Sequence, residues 1–591
     1  MTQTKPKTID SGHLIDDINQ HFRVFAGPGA GKTHWLVNHI KQVLGKSTRL
    51  YSGARIACIS YTTVAAEEIV KKIDDNSDQV EISTIHSFLY ANIVKPYIHL
   101  VTRGDGTPMV SGLHGVEEHH ATPGKIRSLN RKFLTDNMSL ALAAVEDLTW
   151  HMDGQGTLHL EFRYPYKWLG KFPLGKKSFS FPKDDSIEYK HLYWDEGRIH
   201  HEDVLYFAYK ILSENPGLIK FLSARYPFVF VDEFQDTTPI QTWIIHRLAE
   251  HGSTIGVIGD IGQAIYAFAD ASVEDFSKFE LPGQLDFVID GNRRSTKPIV
   301  DFLNVIRGQS LVQTCVRNEP VYPVTVLVGD MHSNISKVKS WLTEETPLHV
   351  LARTRGMVSK IIGVSAETKE NVWNQLRDYD SDKEVFLRRI ITSMEFAKIT
   401  RFNSAIDEIQ KMFRVRNGEL RKPLSGNELF DWAKRSVSLS LLKYLMTSFE
   451  QMKTLPAGDF YNKIQEFLTE SHGIKMTKAL PRGKFKPYAD QFTYGHLVTG
   501  INLSANEIRE IRTIHQAKGA EFDAVLVCLQ SPDELITLLD SDIENRSAEE
   551  LRIRYVGLSR ARDYLFVSVP ELSLEAQARF EVIGLNVYRV D

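Results

Sequence analysis

A glycine-rich segment near the N-terminus has the residue types and spacing of a phosphate-binding loop. Its residues, in order, are Ala26, Gly27, Pro28, Gly29, Ala30, Gly31, Lys32 and Thr33. Glycines let successive backbone N–H groups point into one concavity, Lys32 supplies a charge for the β- and γ-phosphates, and the Thr33 hydroxyl can ligate Mg²⁺. Ala26 stands where the general pattern GxxxxGK(S/T) has its first glycine. The alternative is a glycine-rich turn in which the lysine is coincidental.

Two carboxylates far along the chain suit the same chemistry. Asp232 and Glu233 directly follow the apolar residues 228–231 (FVFV). Hydrolysis of a phosphoanhydride needs the phosphate charge neutralised and the water oriented, so Asp232 is predicted to hold Mg²⁺ and Glu233 to activate the water. The alternative is an ordinary strand end that is capped by acidic residues.

Regular elements must position both groups. Residues 22–25 (FRVF) predict a short strand before the loop, and Leu36, Ile40, Val43 and Leu44 recur at helical spacing until Gly45 after it. The continuous apolar run at 228–231 predicts a strand that is buried on both faces of a parallel sheet. The strand, loop and helix therefore follow in the order that a nucleotide-binding loop requires.

Composition limits the classes of function. A chain of 591 residues with 42% hydrophobic residues is long enough for roughly four domains of about 150 residues each. The polar N-terminus and the lack of a long apolar run predict a cytoplasmic protein without a membrane partner. The net charge is only −3, so DNA binding would need local basic grooves. Cys58, Cys315 and Cys528 are too far apart in sequence for a disulfide framework or an iron–sulfur site and are expected to be buried thiols.

The sequence resembles the UvrD, PcrA and Rep branch of superfamily 1 helicases. Residues 231–241 (VDEFQDTTPIQ) are close to that family's VDEFQDTN followed by Gln. Six further segments match in the family's order: residues 60–68 (SYTTVAAEE), 83–88 (STIHSF), 259–268 (GDIGQAIYAF), 290–296 (DGNRRST), 513–522 (TIHQAKGAEF) and 554–561 (RYVGLSRA). The third of these corresponds to the family's GDDDQSIYGW. Matches in this order are far more specific than any single motif.

The resemblance implies an α/β fold of two RecA-like P-loop NTPase lobes with parallel sheets, each carrying a largely helical insertion. We expect the first lobe at residues 13–92 and 200–295, with its insertion at 93–199. The second lobe is expected at 296–365 and 505–591, with its insertion at 366–504. Strand-like segments at 324–328 and 349–353 would open the second lobe, and the amphipathic stretch 385–413 predicts helix in the second insertion.

The resemblance also implies an ATP and Mg²⁺ site between the lobes, with Thr33 and Asp232 as metal ligands. Gln263 would sense the γ-phosphate, Arg294 would contact the phosphates, and Arg560 would be an arginine finger that accelerates turnover roughly 10³- to 10⁵-fold. With Lys32 and Glu233, these three form the predicted catalytic set. The predicted nucleotide contacts are Gly27, Pro28, Gly29, Ala30, Gly31, Lys32, Thr33, Arg293 and Glu521.

Contacts to single-stranded DNA are implied at Thr62, Thr63, His86, Tyr266, Phe268 and His515. A further basic and aromatic patch contains Arg163, Lys167, Lys171, Lys176, Lys177, Tyr164, Tyr166, Trp168 and Phe172. It suits phosphate contacts and base stacking, and equally a hairpin with inward-packed rings and solvated lysines.

The chain departs from the family pattern at several positions. Thr63 and Val64 replace an asparagine and a lysine, while Phe268 and Ala269 replace a tryptophan and an arginine, which predicts weaker coupling of hydrolysis to translocation. Arg293 stands where a tyrosine stacks on adenine, and no adenine-reading glutamine precedes the loop at the expected distance. Selectivity for adenine is therefore expected to be loose.

Two classes of function stay open. One is a 3′ to 5′ DNA helicase or translocase acting on single-stranded or partly duplex DNA. The other is a nucleotide- or DNA-sensing ATPase subunit that regulates a partner nuclease, as in the Gabija anti-phage complex, whose helicase-like subunit the chain also resembles. Only about twenty residues follow the last motif strand, too few for a fused nuclease domain, so DNA cutting is expected from another protein.

Overall fold

Two parallel-stranded sheets carry the fold in the computed structural model. It describes residues 6–61, 63–73, 77–113, 115–116, 121, 123–129, 138–163, 183–266, 273–308, 310–317, 322–362, 369–398, 401–412, 428–474, 478–498, 510–545 and 548–590. Internal contacts divide the chain into two units. The first comprises Met1–Thr325, Pro532–Leu565 and Ser573–Val587, and the second comprises Val326–Ser531, Phe566–Leu572 and Tyr588–Asp591. The four domains predicted from the sequence stay a prediction. Their boundaries differ from those of the two units, because residues 296–325, 532–565 and 573–587 of the predicted second lobe belong to the first unit.

A seven-stranded sheet organises the first unit. Its strands lie in the order Lys7–Ile9, Leu285–Ile289, Phe22–Ala26, Thr254–Gly259, Phe228–Val231, Ile56–Ser60 and Val80–Thr84. Every neighbouring pair runs parallel. The central strands are buried along their whole length, as continuous apolar runs in a parallel sheet require. The predicted α/β class and the predicted strand at 228–231 are confirmed.

Helices cover this sheet and form the insertion beside it. The helices of the first unit are Lys32–Lys46, Thr63–Lys72, Ile85–Leu89, the π-helical turn Tyr90–Val94, Lys95–Tyr97, Pro123–Ser128, Met138–Glu146, Lys183–Trp194, Asp203–Glu214, Pro216–Arg225, Pro239–Glu250, Val273–Ser277, Lys297–Arg307, Asp533–Asp540, Glu549–Leu558 and Leu574–Val582. Short 3-10 turns lie at Ser77–Gln79, Ile98–Leu100, Phe234–Asp236 and Ile261–Gln263. The helix after the phosphate loop buries Leu36, Ile40 and Val43, as their spacing predicts, and ends one residue beyond Gly45.

The first insertion contains short strands as well as helices. Leu148–Met152 pairs antiparallel with Leu158–Phe162, and Gly115–Val116 pairs parallel with Arg198–Ile199. A separate two-stranded pair, Gly291–Asn292 with Thr314–Cys315, follows the main sheet. In the basic and aromatic patch only Arg163 belongs to the described residues, where it pairs with Glu202 at 2.6 Å. The other members of the patch lie outside them.

The second sheet has six strands. Its order is Ile511–Thr513, Leu348–Ala352, Phe522–Cys528, Ala561–Val569, Thr325–Val328 and Asn586–Arg589. Leu348–Ala352 runs parallel to both of its neighbours. The strand-like segments predicted at 324–328 and 349–353 are therefore strands. The first begins one residue later than predicted, and the second begins and ends one residue earlier.

The second insertion is helical among its described residues. Helices of the second unit are Met331–Trp341, Arg355–Ile362, Lys369–Tyr379, Ser381–Lys398, Phe402–Gln410, Glu428–Thr447, Phe449–Met452, Ala457–His472, Phe485–Ala489, Tyr494–Val498 and Ile514–Ala517. The stretch predicted as helix at 385–413 contains two helices, which bury Leu387, Ile390 and Ile406 in one apolar core.

The structure bears on two expectations from composition, which concern the burial of the cysteines and membrane-spanning helices. Cys58 and Cys528 are buried, but Cys315 is only half-buried and its Sγ donates to the carbonyl oxygen of Ser295 at 3.5 Å. Within the described ranges, the chain has no helix that is both long enough and apolar enough to cross a membrane.

Candidate functional site

The phosphate loop follows the strand Phe22–Ala26 and ends at the helix Lys32–Lys46. Gly29 and Gly31 have φ values of 71° and 85°, in the left-handed region that side chains disfavour. A Cβ on Gly29 would lie 2.6 Å from Cβ of Arg294, so this glycine also permits a close approach of the predicted phosphate-contacting arginine. The Lys32 ammonium donates to the carbonyl oxygen of Ala26 at 3.3 Å, which keeps it folded back over the loop.

Three residues outside the loop hold its carbonyl groups. Nδ2 of Asn292 and Nε2 of Gln313 donate to the Pro28 oxygen at 3.0 and 3.1 Å. The backbone N–H of Arg293 donates to the Gly29 oxygen at 2.8 Å. The Ala30 N–H donates within the loop to the Gly27 oxygen at 3.3 Å. A loop whose carbonyl oxygens are held in this way can present its other backbone N–H groups to an anion.

The two predicted catalytic carboxylates lie at the end of the buried strand Phe228–Val231. The Asp232 side chain is buried, with a residue exposure of 3%. Glu233 has a φ of 53° and is the one non-glycine residue with positive φ among the described residues, a strained conformation that is concentrated at functional sites. Its Oε1 lies 3.8 Å from Nζ of Lys32, so the strand end faces the loop as predicted.

A hydrogen-bonded chain leads from Glu233 to Arg560. Nε2 of Gln235 donates to Glu233, and Oε1 of Gln235 accepts from the backbone N–H of Asp260 at 3.0 Å. The Asp260 carboxylate accepts from Nε2 of Gln263 at 2.7 Å, and Oε1 of Gln263 accepts from Nη2 of Arg560 at 2.8 Å. The predicted γ-phosphate sensor and the predicted arginine finger, 297 residues apart in sequence, are therefore in direct contact.

Arg294 and Arg560 both bind Ser559. Nη1 of Arg294 donates to the carbonyl oxygen of Ser559 at 3.1 Å, and Nη2 of Arg560 donates to Oγ of Ser559 at 2.8 Å. Arg560 is buried, with 1% of its surface exposed. Two guanidinium groups that bind the same residue could together pair with the oxygens of a polyphosphate.

The donor set fits Mg²⁺ bound together with a nucleotide. Hard oxygen ligands are what this ion prefers, and it is usually held by one or two protein oxygens plus phosphates and water. Thr33 is half-buried at the start of the helix, and Asp232 offers a buried carboxylate at the strand end that faces the loop. Thr33 and Asp232 would hold the ion. The described residues contain no cluster of three or more His, Cys, Asp or Glu side chains that suggests a separate metal site.

Arg293 is fixed by a residue that precedes the loop. Its Nε donates to Oγ of Ser11 at 2.8 Å, and a Cβ on Gly31 would lie 3.0 Å from Cβ of Ser11. The guanidinium predicted to face the base is thus held by Ser11, which packs against Gly31, the residue before the helix. Glu521, the other predicted nucleotide contact outside the loop, is exposed in the second unit.

Two ring pairs include predicted DNA contacts. His86 stacks on His201 with ring centroids 3.8 Å apart, and Tyr266 stacks on Tyr61 at 4.7 Å. Burial and the neighbouring His201 lower the pKa of His86 to about 3, so its ring is neutral near pH 7 and offers stacking and hydrogen bonding without charge.

For the remaining predicted DNA contacts, the structure gives at most the position of the residue in the fold. His515 is half-buried in the short helix Ile514–Ala517 of the second unit. Thr63 begins the helix Thr63–Lys72. Thr62 and Phe268 lie outside the described residues.

Sequence reasoning missed the residues that connect the predicted ones. Gln235 and Asp260 lie inside the matched segments, but the segments do not indicate that the Gln235 amide binds the backbone N–H of Asp260. Ser11 and Gln313 lie outside every matched segment, and no spacing signal identifies them. Arg307 and Arg552 also lie outside the matched segments. Their contacts join distant parts of the chain and could not be predicted from the sequence.

Comparisons with known proteins identify the family of the chain. The family model of the UvrD/REP helicase N-terminal domain matches residues 11–161 and 178–282, and that of the UvrD-like helicase C-terminal domain matches 358–571. The chain is 25% identical to Gabija protein GajB of Bacillus cereus over 496 residues, covering 74% of this chain and 69% of that protein. It is 21% identical to DNA helicase II of Escherichia coli over 638 residues, covering 95% and 86%. A probable DNA helicase II homolog of Mycoplasma pneumoniae is 23% identical over 625 residues, covering 93% and 82%. The chain therefore belongs to the UvrD-like family of DNA helicases, which are ATP hydrolases.

Proposed function

We propose that the chain hydrolyses ATP with Mg²⁺ at the phosphate loop and couples hydrolysis to movement on single-stranded DNA in the 3′ to 5′ direction. The observation that carries the proposal is the contact between Oε1 of Gln263 and Nη2 of Arg560 at 2.8 Å. It joins the residue predicted to sense the γ-phosphate to the residue predicted to stabilise charge in the transition state. The family membership supports the same activity.

Each side chain of the site has a role that follows from its chemistry. When bound, Mg²⁺ neutralises phosphate charge. Lys32 leaves its 3.8 Å contact with Glu233 to pair with phosphate oxygens, which frees the carboxylate to orient the attacking water and accept its proton. Arg294 and Arg560 stabilise charge that develops on the transferred group. The buried Arg560 offers its guanidinium where little water competes for it.

DNA would be held by stacking. The Tyr61 and Tyr266 pair and the His86 and His201 pair present rings on which unpaired bases can stack, at about 1 to 3 kcal/mol per base. Tyr266 follows Gln263 by three residues, so a shift of the sensor on hydrolysis would reach the base-contacting ring directly. This short path is the proposed basis of coupling.

A second candidate function is regulation of a nuclease supplied in trans. The similarity to Gabija protein GajB over 74% of this chain favours it, as do the residues 63, 64, 268 and 269, which depart from the family pattern in the segments that grip DNA. In this form, hydrolysis would drive a conformational change that a bound nuclease senses, and the chain alone would unwind DNA weakly. We favour weak autonomous unwinding.

A single-turnover unwinding assay on the isolated full chain separates the two functions. Its substrate is a duplex of about two helical turns (~20 base pairs) with a 3′ overhang, run beside DNA-stimulated ATPase at matched salt because groove binding weakens as salt rises. A duplex with a 5′ overhang is the polarity control. Strong DNA-stimulated ATPase with little strand separation supports the regulatory subunit. Efficient unwinding from the 3′ overhang alone supports the autonomous helicase and contradicts the regulatory form.

A further inference from the structure

A buried arginine outside the phosphate loop holds the residue that orients Gln263. Arg307 is the last residue of the helix Lys297–Arg307, and its side chain is only 4% exposed. Nη1 donates to Oδ1 of Asp260 at 2.6 Å, and Nη2 donates to Oε1 of Glu544 at 2.8 Å. One guanidinium thus joins two carboxylates from distant parts of the chain, and the inner carboxylate is the one that binds Gln263.

A glycine makes room for this guanidinium. The 3-10 turn Ile261–Gln263, here named the sensor turn, contains Gly262, and a Cβ on that residue would lie 2.9 Å from Cζ of Arg307 and nearer still to Nη1. The family segment GDDDQSIYGW has an aspartate at this position, where the present chain has Gly262 in GDIGQAIYAF. A side chain there would displace the guanidinium, so Gly262 and Arg307 form a matched pair.

Asp260 transmits the position of Arg307 to Gln263. Its carboxylate accepts from the backbone N–H of Gly262 at 3.0 Å and from Nε2 of Gln263 at 2.7 Å. Because the carboxylate is buried, the Arg307 guanidinium offsets the cost of removing it from water and fixes its orientation. With Nε2 bound to Asp260, Oε1 of Gln263 is the end of the amide that faces Arg560. The orientation of the amide therefore depends on the charge and place of Asp260.

Arg307 also contacts the helix Glu549–Leu558, which precedes Arg560 and is here named the finger helix. Tyr555 of the finger helix lies under the Arg307 guanidinium, with the ring centroid 5.6 Å from Cζ. Arg552 of the finger helix donates to the Ala264 oxygen at 2.7 Å and to the Ile543 oxygen at 3.1 Å. The sensor turn, the finger helix and the segment before it are thus tied together by buried arginines.

We propose that Arg307 is a positioning residue for ATP hydrolysis, which holds Asp260 and through it keeps the Gln263 amide aligned with Arg560. The inference rests on the proposed function, because it assigns Arg307 an effect on the same hydrolytic site. Within the described part of the chain, the side-chain contacts of Arg307 are with Asp260, Glu544 and Tyr555 and not with the loop or Arg560. Its loss should therefore change the rate of the chemical step more than the binding of ATP.

The test is a cycle of variants in the full chain. Steady-state ATP hydrolysis with saturating single-stranded DNA is measured for the wild type, Arg307→Met, Gln263→Ala and the double variant. We expect Arg307→Met to lower kcat by about tenfold or more while the KM for ATP changes by less than about threefold. In the Gln263→Ala background the same change should lower kcat by less than about twofold, because the residue through which Arg307 acts is gone. Equal losses in both backgrounds would overturn the proposal.

Two further variants test the proposal even if Arg307→Met does not fold. Gly262→Ala keeps every charge but pushes the guanidinium from Asp260, and it should reproduce the loss of kcat. Arg307→Lys keeps a positive charge near Asp260 but cannot span both carboxylates, so it should recover much of the rate. Wild-type kcat in Gly262→Ala would overturn the proposal even if Arg307→Met does not fold.

A matched control separates positioning from stability. Arg23 is also a buried arginine, paired with Asp286 at 2.6 Å and bound to the Phe276 oxygen at 3.0 Å. Arg23→Met should lower Tm but leave kcat within about twofold of wild type at temperatures well below Tm. If kcat follows Tm equally in the Arg23 and Arg307 variants, the role of Arg307 is structural and the proposal is wrong.

ATP hydrolysis by the wild type and by Lys32→Ala distinguishes a failure of the role proposed for Arg307 from a failure of the proposed function. If the wild type hydrolyses ATP, Lys32→Ala does not, and the Arg307 and Gly262 variants keep wild-type kcat, the role of Arg307 fails alone. If the wild type hydrolyses no more ATP than Lys32→Ala, the proposed function fails and the role of Arg307 fails with it.

Discussion

Arg560 donates a hydrogen bond from Nη2 to Oε1 of Gln263 at 2.8 Å, and both side chains are buried. Nε of the same arginine donates to the Val556 oxygen at 2.9 Å, so the guanidinium is fixed at both ends. The proposed sensor and the proposed arginine finger are hydrogen-bonded to each other and should therefore respond to the γ-phosphate as one unit. Hydrolysis should then fail in a similar way when either member is lost.

The first prediction is strong non-additivity between these two residues. Arg560→Ala should lower kcat about 10³-fold or more, and Gln263→Ala should lower it substantially. The double variant should be little worse than Arg560→Ala alone, because groups that act as a unit are lost together. Single-turnover ATP hydrolysis of the four proteins gives the coupling. Losses that multiply in the double variant would show that the residues act independently.

The second prediction concerns the nucleotide base. The Arg293 guanidinium, held by Oγ of Ser11 at 2.8 Å, can stack on any base without reading its edge. Hydrolysis of GTP or dATP should therefore proceed within about tenfold of the ATP rate, a gap of roughly 1.4 kcal/mol. Competition kinetics with mixed nucleotides measure this ratio. A preference for ATP beyond about a hundredfold would mean that another group reads adenine.

Arg293 also offers a matched comparison. Arg293→Tyr restores the ring that the family places on adenine, and Ser11→Ala removes only the hydrogen bond that orients the guanidinium. The tyrosine variant should keep the KM for ATP near that of wild type, whereas Ser11→Ala should raise the KM for all nucleotides by similar factors. A base-dependent change of KM in Ser11→Ala would contradict a purely orienting role of Ser11.

The third prediction is a loss of stability in acid that depends on His39. Its ring is buried against Trp35 and Phe22 in the helix after the phosphate loop, and burial lowers the pKa of His39 from 6.5 to about 4. Between these two pH values the unfolded chain binds a proton that the folded chain rejects, so the free energy of unfolding falls as pH falls below 6.5. From pH 7 to pH 5 the contribution of this residue is about 2 kcal/mol.

His39→Phe keeps an aromatic ring and removes the titrating group. Urea unfolding of the wild type and His39→Phe at pH 7 and pH 5 should show a smaller loss of stability on acidification in the variant. Other buried histidines, including His86, will leave part of the pH dependence in place. An equal loss in both proteins would show that His39 does not titrate in this window.

Local patterns predicted the parts of the site that are contiguous in sequence. The apolar run at 228–231 has no polar position to distinguish two faces, which fits a central strand of the parallel sheet and places Asp232 and Glu233 at its end. The glycines of the phosphate loop were predicted from the conformations that the loop requires, and Gly29 and Gly31 have positive φ.

Pairings between distant residues were not predictable in the same way. Arg307 appears in the sequence as a basic residue at a helix C-terminus, where such residues are common, and its pairing with Asp260 depends on how the helix packs. The importance of Gly262 follows from a clash that exists only in three dimensions. Apolar periodicity predicts helix in the stretch 385–413, but it does not indicate the non-helical backbone of Arg401, which directly precedes the helix Phe402–Gln410.

The most direct test of the account compares nucleotide binding with turnover in two variants of the site. Lys32→Ala removes the charge that faces the phosphates, and Glu233→Gln removes only the group that accepts a proton from water. We expect Lys32→Ala to lose ATP binding and hydrolysis together. Glu233→Gln should bind ATP as the wild type does while its DNA-stimulated kcat falls about 10²-fold or more. Hydrolysis by Glu233→Gln near the wild-type rate would contradict the assignment of the active site.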